Sequence, residues 1–275
     1  MLHTILARYL AAFLVTPVLL YLAWPFSVRS SVERICAQGD PAIAVPACAY
    51  LIAAAKSNGD AAIAYAARGR AYERRGEHDR AMADYDKSIE ANPVNAVLYS
   101  NRGTVLMRDG ETERALADYT RALDLDPRLE TARNNRGVIF LRREQFDLAL
   151  IDFDKAIEVA PEFALAYANR GLAYMELGQV EKALADFDRA LGYDRRLILA
   201  LNNRGILLLV IDKQPFALKN FEAVLQLQRN PVALYGRGVA RLRNGDAGGR
   251  EDIAAALALQ PDVEHSFAIW GIKPP

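Results

Sequence analysis

Six arginines recur along this chain at nearly one spacing, and the chemistry that their positions suggest is ion pairing. Each precedes a glycine and follows the previous one by 34 residues, except that the sixth comes after 33. A polar residue follows each arginine by 15 or 16 positions. The two series are Arg68, Arg102, Arg136, Arg170, Arg204 and Arg237, and Asp84, Asp118, Asp152, Asp186, Asn220 and Asp252. We predict a ladder of Arg–Asp pairs, each exposed pair contributing ~0.2–1 kcal/mol; the alternative is charge solvated separately on the surface.

No other group of residues has the arrangement that catalysis requires. The three histidines, His3, His78 and His265, are scattered, and no spacing typical of metal ligands or of a phosphate-binding loop is present. The carboxylates follow the repeat, so choosing any two as acid and base would be arbitrary. We therefore predict no enzyme, no catalytic residue, no metal and no cofactor, with a concealed hydrolase or transferase as a remote alternative.

The balance of charge bears on the class of partner. Lys plus Arg and Asp plus Glu are equal, at 34 each. Nucleic-acid-binding proteins concentrate basic residues in a patch or stripe. Because every basic series here has an acidic companion, we expect no nucleic-acid partner and favour a protein or peptide partner.

A repeated pair of helices must position the charged residues. In the first repeat, apolar residues fall at helical spacing in Ala62–Arg75 and in His78–Ala91. Gly76 separates the two blocks, because glycine readily adopts the left-handed turn that ends a helix. Pro93 cannot continue the second helix, so the chain turns into the next unit. A fixed repeat of this length is typical of stacked units that cover one another's apolar faces.

The pattern resembles the tetratricopeptide repeat, with arginine where that family usually has leucine before the glycine. Gly69, Ala81, Tyr85 and Pro93 stand in the family's order, and five further copies follow within residues 62–262. We expect the small residues to let two helices approach closely around the aromatic. The resemblance implies an all-α fold, a right-handed superhelical α-solenoid of about six hairpins. A degenerate N-terminal hairpin and an N-terminal transmembrane helix would precede them.

In function, the resemblance implies a non-enzymatic protein–protein interaction scaffold or assembly factor at the membrane. Family members commonly hold an extended peptide or a partner helix in a concave groove lined by the first helix of each pair. The alternative is a structural or accessory subunit that docks on a membrane complex through its convex face. Substitutions in the groove should impair the first function and spare the second.

The N-terminal segment differs from the repeats and predicts a membrane anchor. Tyr9 to Val28 is a run of 20 residues without a charge, which as a helix spans about 30 Å, the thickness of the hydrocarbon core. We therefore assign residues 1–30 to an anchor or signal segment and favour an uncleaved transmembrane helix. The alternative is a cleaved signal peptide, for which Val28, Arg29 and Ser30 form only a weak cleavage motif.

The only two cysteines of the chain lie between the anchor and the repeats. Counting back one period makes residues 31–61 a degenerate hairpin, with Cys36 and Cys48 on adjacent helices and Pro46 interrupting it. In an oxidising compartment a disulfide there would contribute ~3 kcal/mol; the alternative is two buried thiols in a cytosolic protein. Anchor and cysteines together favour a single-pass inner-membrane protein with its repeats in the periplasm. The alternative is an exported soluble periplasmic protein.

The residues just before the arginines are the first candidates for partner binding. By the resemblance this position faces the groove, and asparagine fills it four times, at Asn101, Asn135, Asn169 and Asn203. An amide both donates and accepts hydrogen bonds, so such a row suits a peptide backbone. The alternative is that asparagine at this position only helps the helices to pack.

Further candidates face the groove from the following turns of the same helices. They are Arg70, Thr104, Val138, Leu172, Met107 and Met175, with Leu141, Ile206 and Leu209. The groove is therefore expected to be polar at its first end and increasingly apolar later, and an exposed apolar strip needs a partner. The family's clamp for C-terminal carboxylates is not supported, because Ala66 and Arg70 occupy its positions.

The chain ends in a predicted cap, residues 263–275. Val263, Phe267, Ala268 and Trp270 would lay one apolar face over the last repeat, as the end of a solenoid requires. We expect Trp270 to serve in this lid rather than to contact a ligand.

Overall fold

Two compact units make up the described part of the chain, divided between Ala132 and Arg133. The computed structural model describes residues 26–275, which form helices joined by turns and contain no strand. The helices that lie in the first unit are α1 Phe26–Gln38, α2 Pro41–Ala53, α3 Asn58–Arg74, α4 His78–Ala91, α5 Ala96–Arg108 and α6 Thr112–Leu125. They are followed by α7 Glu130–Arg142, α8 Phe146–Val159, α9 Ala164–Glu176, α10 Val180–Tyr193, α11 Ile198–Val210, α12 Gln214–Leu227, α13 Pro231–Arg243, α14 Gly249–Leu259 and α15 His265–Ala268.

The helices pair as hairpins, each made of a first helix, a short turn and a second helix. From α3 onward the first helix of every pair carries the Arg-Gly motif, which gives six hairpins ending with α13–α14. The helices α1 and α2 form one more hairpin ahead of them. The predicted all-α class and its repeated hairpins are confirmed. Most of the predicted anchor, residues 9–28, lies outside the described residues, and none of the described helices is both long and apolar enough to cross a bilayer.

The five hairpins from α3–α4 to α11–α12 each close on a contact between a glycine and an aromatic ring, as expected. A Cβ added at Gly171 would lie 2.8 Å from the ring of Phe187. The same close approach occurs at Gly69, Gly103, Gly137 and Gly205. The rings concerned, Tyr85, Tyr119, Phe153, Phe187 and Phe221, are all buried. Each ring therefore fills the space that the missing side chain leaves, and the two helices touch.

Replacing Gly171 by alanine is expected to destabilise the second unit by about 1–3 kcal/mol, because the added methyl overlaps the buried ring of Phe187. Gly192 supplies the matched control, since nothing lies within 4 Å of a Cβ added there. The same change at Gly192 should stabilise the protein by up to about 1 kcal/mol, because alanine favours a helix. Urea denaturation followed by circular dichroism measures both values. Effects of the same sign and size would contradict this role for the glycine.

The turn inside each of the six Arg-Gly hairpins uses a residue with positive φ. Gly76, Gly110 and Gly178 have φ of 72°, 81° and 68°, as the sequence predicts. In the hairpins α7–α8 and α11–α12 the position holds Glu144 and Asp212, with φ of 58° and 56°. Such a conformation costs a residue with a side chain roughly 1–2 kcal/mol. The packing of the hairpin, rather than local preference, therefore sets the turn at these two places.

The first hairpin, α1–α2, is joined by a disulfide between Cys36 and Cys48, whose Cα atoms are 4.8 Å apart. The predicted pairing is confirmed. Both cysteines are buried in a small cluster with Val32 of α1 and Ala67 of α3. The bond therefore lies where the first hairpin packs on the first regular repeat.

Two local predictions for this region are wrong. Pro46 does not interrupt the hairpin, because α2 runs unbroken through it. Its ring is exposed, so water can hydrate the Ala42 carbonyl that loses its helical partner. The next helix, α3, begins at Asn58, four residues earlier than predicted. The hydroxyl of Ser57 caps it by accepting a hydrogen bond from the Asp60 N–H at 3.1 Å.

The C-terminal cap completes the main core of the second unit. Val263 and Phe267 are fully buried, and Trp270 packs against the same core. These three contacts agree with the prediction. Ala268 is exposed, so its predicted place in the cap is wrong, and Ile272 is buried instead.

Candidate functional site

The arginine series forms a ladder of paired charges within the hairpins. Arg170 donates from Nε and Nη2 to the two carboxylate oxygens of Asp186, each at 2.7 Å. The same two-pronged contact joins Arg68 to Asp84, Arg102 to Asp118, Arg136 to Asp152 and Arg237 to Asp252. The predicted ladder is confirmed, and the alternative of separately solvated charges is wrong.

These pairs are more buried than the sequence suggests. Asp186 is 4% exposed, and the side chain of Arg170 is 19% exposed. The guanidinium also lies 5.5 Å from the ring centre of Tyr167 and donates to Asp154 of the preceding hairpin at 2.6 Å. The hydrogen bond to Asp186, followed by the one to Asp154, raises the pKa of Arg170 against the opposing effect of burial. The expectation of weak, exposed pairs is therefore corrected to internal pairs that fix one helix against the next.

Arg204 departs from the rest of the ladder. Asn220 stands opposite it and accepts one hydrogen bond at 3.2 Å, while the amide nitrogen of Asn220 donates to the Phe216 carbonyl. Nη2 of Arg204 lies 2.7 Å from Asp188 of the preceding hairpin, but its buried Nε has no partner among the described residues. A buried donor left without a hydrogen bond lowers stability, so we expect this hairpin to be less stable than those with a complete Arg–Asp pair.

Replacing Asn220 by aspartate is expected to stabilise the second unit by about 1–2 kcal/mol, because the carboxylate supplies the second acceptor and a charge. The reverse change at the equivalent position, Asp186→Asn, should destabilise it by a similar amount. Thermal unfolding monitored by circular dichroism measures both shifts in Tm. A lower Tm for Asn220→Asp would show that burying the extra carboxylate outweighs the new hydrogen bond.

In the first unit, the candidate binding residues belong to the first helices α3 and α5, whose shared surface we call the first-helix face. Arg70, Asn101 and Met107 are partly exposed there. Thr104 is engaged within the unit, because its hydroxyl donates to the Ser100 carbonyl at 3.1 Å and accepts from Tyr119 at 3.3 Å. Arg70 and Asn101 are therefore the polar candidates still open to a partner.

In the second unit, two of the predicted binding residues serve packing instead. Asn169 is buried, and its Nδ2 donates to Oδ1 of Asn134 at 2.8 Å. Met175 is buried in the core. Neither offers its side chain to a partner, so both predictions are corrected. Asn135 remains partly exposed and accepts a hydrogen bond from Asn134 at 3.1 Å.

The expected increase in exposed apolar surface along the chain is also wrong. Val138 and Leu172 are partly exposed, as is Asn203, whose buried Nδ2 has no partner. Ile206 and Leu209, however, are buried. Ile206 and Leu209 of α11 therefore lie inside the second unit, where the neighbouring hairpins cover them.

The most exposed apolar side chain of the first-helix face, Ile63, lies at the start of the first unit, beside a cavity of about 380 Å³. Cys36 of α1, Leu51 of α2, and Ile63, Ala67 and Arg70 of α3 line this cavity. Ile63 is 74% exposed, although isoleucine is among the residues most often buried. Ligand pockets typically measure roughly 300–1,000 Å³. The cavity therefore has the size and the lining of a binding site.

The sequence predicted Arg70 but missed the cavity around it. Its walls also include Ala54, Ala55 and Ala64. Ala54 and Ala55 follow the end of α2 and Ala64 lies on α3, and such small side chains leave space that larger ones would fill. This concentration of alanine was visible in the sequence and was the available signal.

A second cavity, about 770 Å³, lies at the turns of the first two repeats. Charged residues line it, and Nδ1 of His78 contacts Asp109 there. Within residues 26–275 no group of three or more His, Cys, Asp and Glu side chains is placed to hold a metal ion. No apolar side chain is among the residues that line this second cavity, so it is a weaker candidate for recognition.

The fold and its repeated contacts define the class of protein. Profiles described as Tetratricopeptide repeat match residues 37–96, 100–161 and 164–196, together just over half of the chain. The chain belongs to the tetratricopeptide repeat family. No curated protein matches it significantly.

Solved structures of similar fold align with this chain over nearly their whole length. A tetratricopeptide repeat protein from Parabacteroides merdae is 19% identical, with a TM-score of 0.66 over 89% of this chain and 98% of that one. PilF of Pseudomonas aeruginosa is 21% identical, with a TM-score of 0.65 over 77% and 98%. MamA of Desulfovibrio magneticus RS-1 is 26% identical, with a TM-score of 0.52 over 62% and 97%. At such low identity the first two similarities establish the fold alone.

Proposed function

We propose that this protein is a scaffold or assembly factor that holds a segment of a partner protein against the first-helix face of its first unit. The observation that carries the proposal is the cavity beside Ile63, whose lining is largely apolar and includes Arg70 together with the exposed Glu33 and Asp60. Exposed apolar surface next to a pocket is typical of interaction sites. The family supports the same class of function, because tetratricopeptide repeats are protein-interaction modules.

We locate the protein in the inner membrane, anchored once through residues 9–28, with its repeats in the periplasm. The uncharged run is long enough for such an anchor. The Cys36–Cys48 disulfide supports an oxidising compartment. If the segment is instead a cleaved signal peptide, the mature protein is soluble in the periplasm. N-terminal sequencing of the mature protein, with a test of its retention in carbonate-washed membranes, distinguishes the two.

Cross-linking in native membranes tests the binding proposal. We expect a variant with Ile63→Asp and Asn101→Ala to lose the partner that the wild type captures, because both side chains lie on the first-helix face. Ile63 is exposed, so its replacement should leave the melting temperature unchanged. A partner captured equally by wild type and variant would contradict the proposal.

Docking through the second helices, as an accessory subunit of a membrane complex, is the second candidate. Leu148 and Ile151 favour it, because both are exposed and lie three residues apart on α8. Ile151→Asp is therefore the matched control in the cross-linking experiment. Loss of the partner from this variant alone would place recognition on the second helices and leave the first-helix face without a binding role.

A further inference from the structure

Arg70 is a half-buried cation that lines the cavity of the first unit without an anionic partner. Glu73 is the nearest acid on the same helix, but each of its oxygens contacts a residue other than Arg70. One lies 2.9 Å from Arg108, and the other accepts a hydrogen bond from the Tyr85 hydroxyl at 3.1 Å. Asp60 is ten residues away, about 15 Å along the helix axis. Among the described residues, no carboxylate lies within salt-bridge distance of Arg70.

The remainder of the cavity is largely apolar and has one fixed wall. Cys36 contributes to that wall, and its disulfide with Cys48 holds α1 against α2. An apolar cavity of about 150 Å³ is enough to bind benzene, so about 380 Å³ admits an aromatic or branched side chain with part of its backbone. Such a group would also cover the exposed Ile63.

The other charged residues of the cavity influence its preference for a ligand charge less than Arg70 does. Glu33 and Asp60 also line it, and both are exposed. An exposed charge is well solvated and interacts weakly with a neighbour, whereas a partly buried one has lost water and gains more from a partner of opposite sign. The strongest electrostatic preference of the site is therefore for a carboxylate at Arg70.

We propose that this cavity recognises a protein segment in which a large apolar side chain stands close in sequence to an aspartate or glutamate. The apolar side chain enters the cavity, and the carboxylate pairs with Arg70 through its guanidinium. This inference rests on the proposed function and names the chemistry of the segment that is bound.

Selection from a displayed library of random peptides on the full-length protein in detergent tests the inference. We expect the enriched sequences to pair Phe, Trp, Leu or Ile with Asp or Glu at a constant offset. A synthetic peptide of the enriched sequence, followed by fluorescence anisotropy, should bind the Arg70→Glu variant at least tenfold more weakly than the wild type. Replacing its acid by lysine should weaken binding to the wild type and restore it to Arg70→Glu.

Two further variants serve as controls for the charge reversal at Arg70. Arg70→Gln removes the charge without reversing it and should show an intermediate loss of affinity. Arg128→Glu makes the same charge reversal at an exposed turn and should bind the peptide as the wild type does. Circular dichroism shows whether each variant is folded.

The possible failures are distinguishable. If the wild type enriches no peptide, both the inference and the proposed function are contradicted. If it enriches apolar peptides without an acidic preference, or if Arg70→Glu and Arg70→Gln bind them as tightly, only the inference is overturned.

Discussion

Removing the carboxylate of Asp186 is expected to lower the stability of the second unit by about 3 kcal/mol, because it leaves the half-buried guanidinium of Arg170 without its main partner. Asp186 is nearly buried and accepts both prongs of that arginine. Loss of one member of a buried pair costs more than the pair itself contributes, since the remaining charge has already lost its water. Urea denaturation of Asp186→Ala, followed by circular dichroism, measures the change.

Asp154 provides a control on the same arginine. It also accepts a hydrogen bond from Arg170, but its side chain is 54% exposed. Asp154→Ala should therefore cost less than about 1 kcal/mol, as exposed pairs usually do. Equal and small losses from the two variants would show that the ladder contributes little and that the glycine–aromatic contacts hold the hairpins.

The ladder connects the fold with the first-helix face. Arg102 shows how: it binds Asp118 of its own hairpin and Asp86 of the preceding one. One side chain on a first helix is thereby tied to two second helices. Since binding at a surface is stronger when the surface is already ordered, such ties would support the proposed recognition without contacting the partner.

The repeated hairpins could be predicted because each position has a local physical role. Gly171 must be small for Phe187 to fit, and Gly178 must adopt a left-handed turn. Both requirements appear in the residue type itself. This reasoning fails at Glu144, because glutamate adopts the same left-handed turn there and its residue type does not predict it.

Burial across neighbouring hairpins was less accessible to sequence reasoning. Met175 and Asn169 have the helical register of binding residues, yet their neighbours in the second unit cover them. The period of one helix predicts the direction of a side chain, but the packing of other helices determines whether that side chain is exposed to solvent. For the same reason Arg70 was found while its cavity, which depends on three helices, was not.

The disulfide of the first hairpin is the second contact for which we expect a large effect. Cys36 and Cys48 close a loop across 12 positions, for which the chain-entropy model gives about 3 kcal/mol. Replacing both by alanine should therefore speed hydrogen exchange of the amides in α1 and α2 about a hundredfold, where exchange proceeds by local opening. Hydrogen exchange measured by mass spectrometry on the full-length protein makes the comparison.

Two comparisons separate the bond from the packing of its side chains. Reducing the wild-type protein breaks the bond while keeping both sulfur atoms, so its α1 and α2 should exchange as fast as those of the double alanine variant. Exchange in α9 and α10 of the second unit should stay unchanged and serves as an internal reference. Because Cys36 lines the cavity, loosening α1 should also weaken peptide binding there. If α1 exchanges at the wild-type rate in both cases, packing against α3 holds the hairpin, and the cavity wall does not depend on the disulfide.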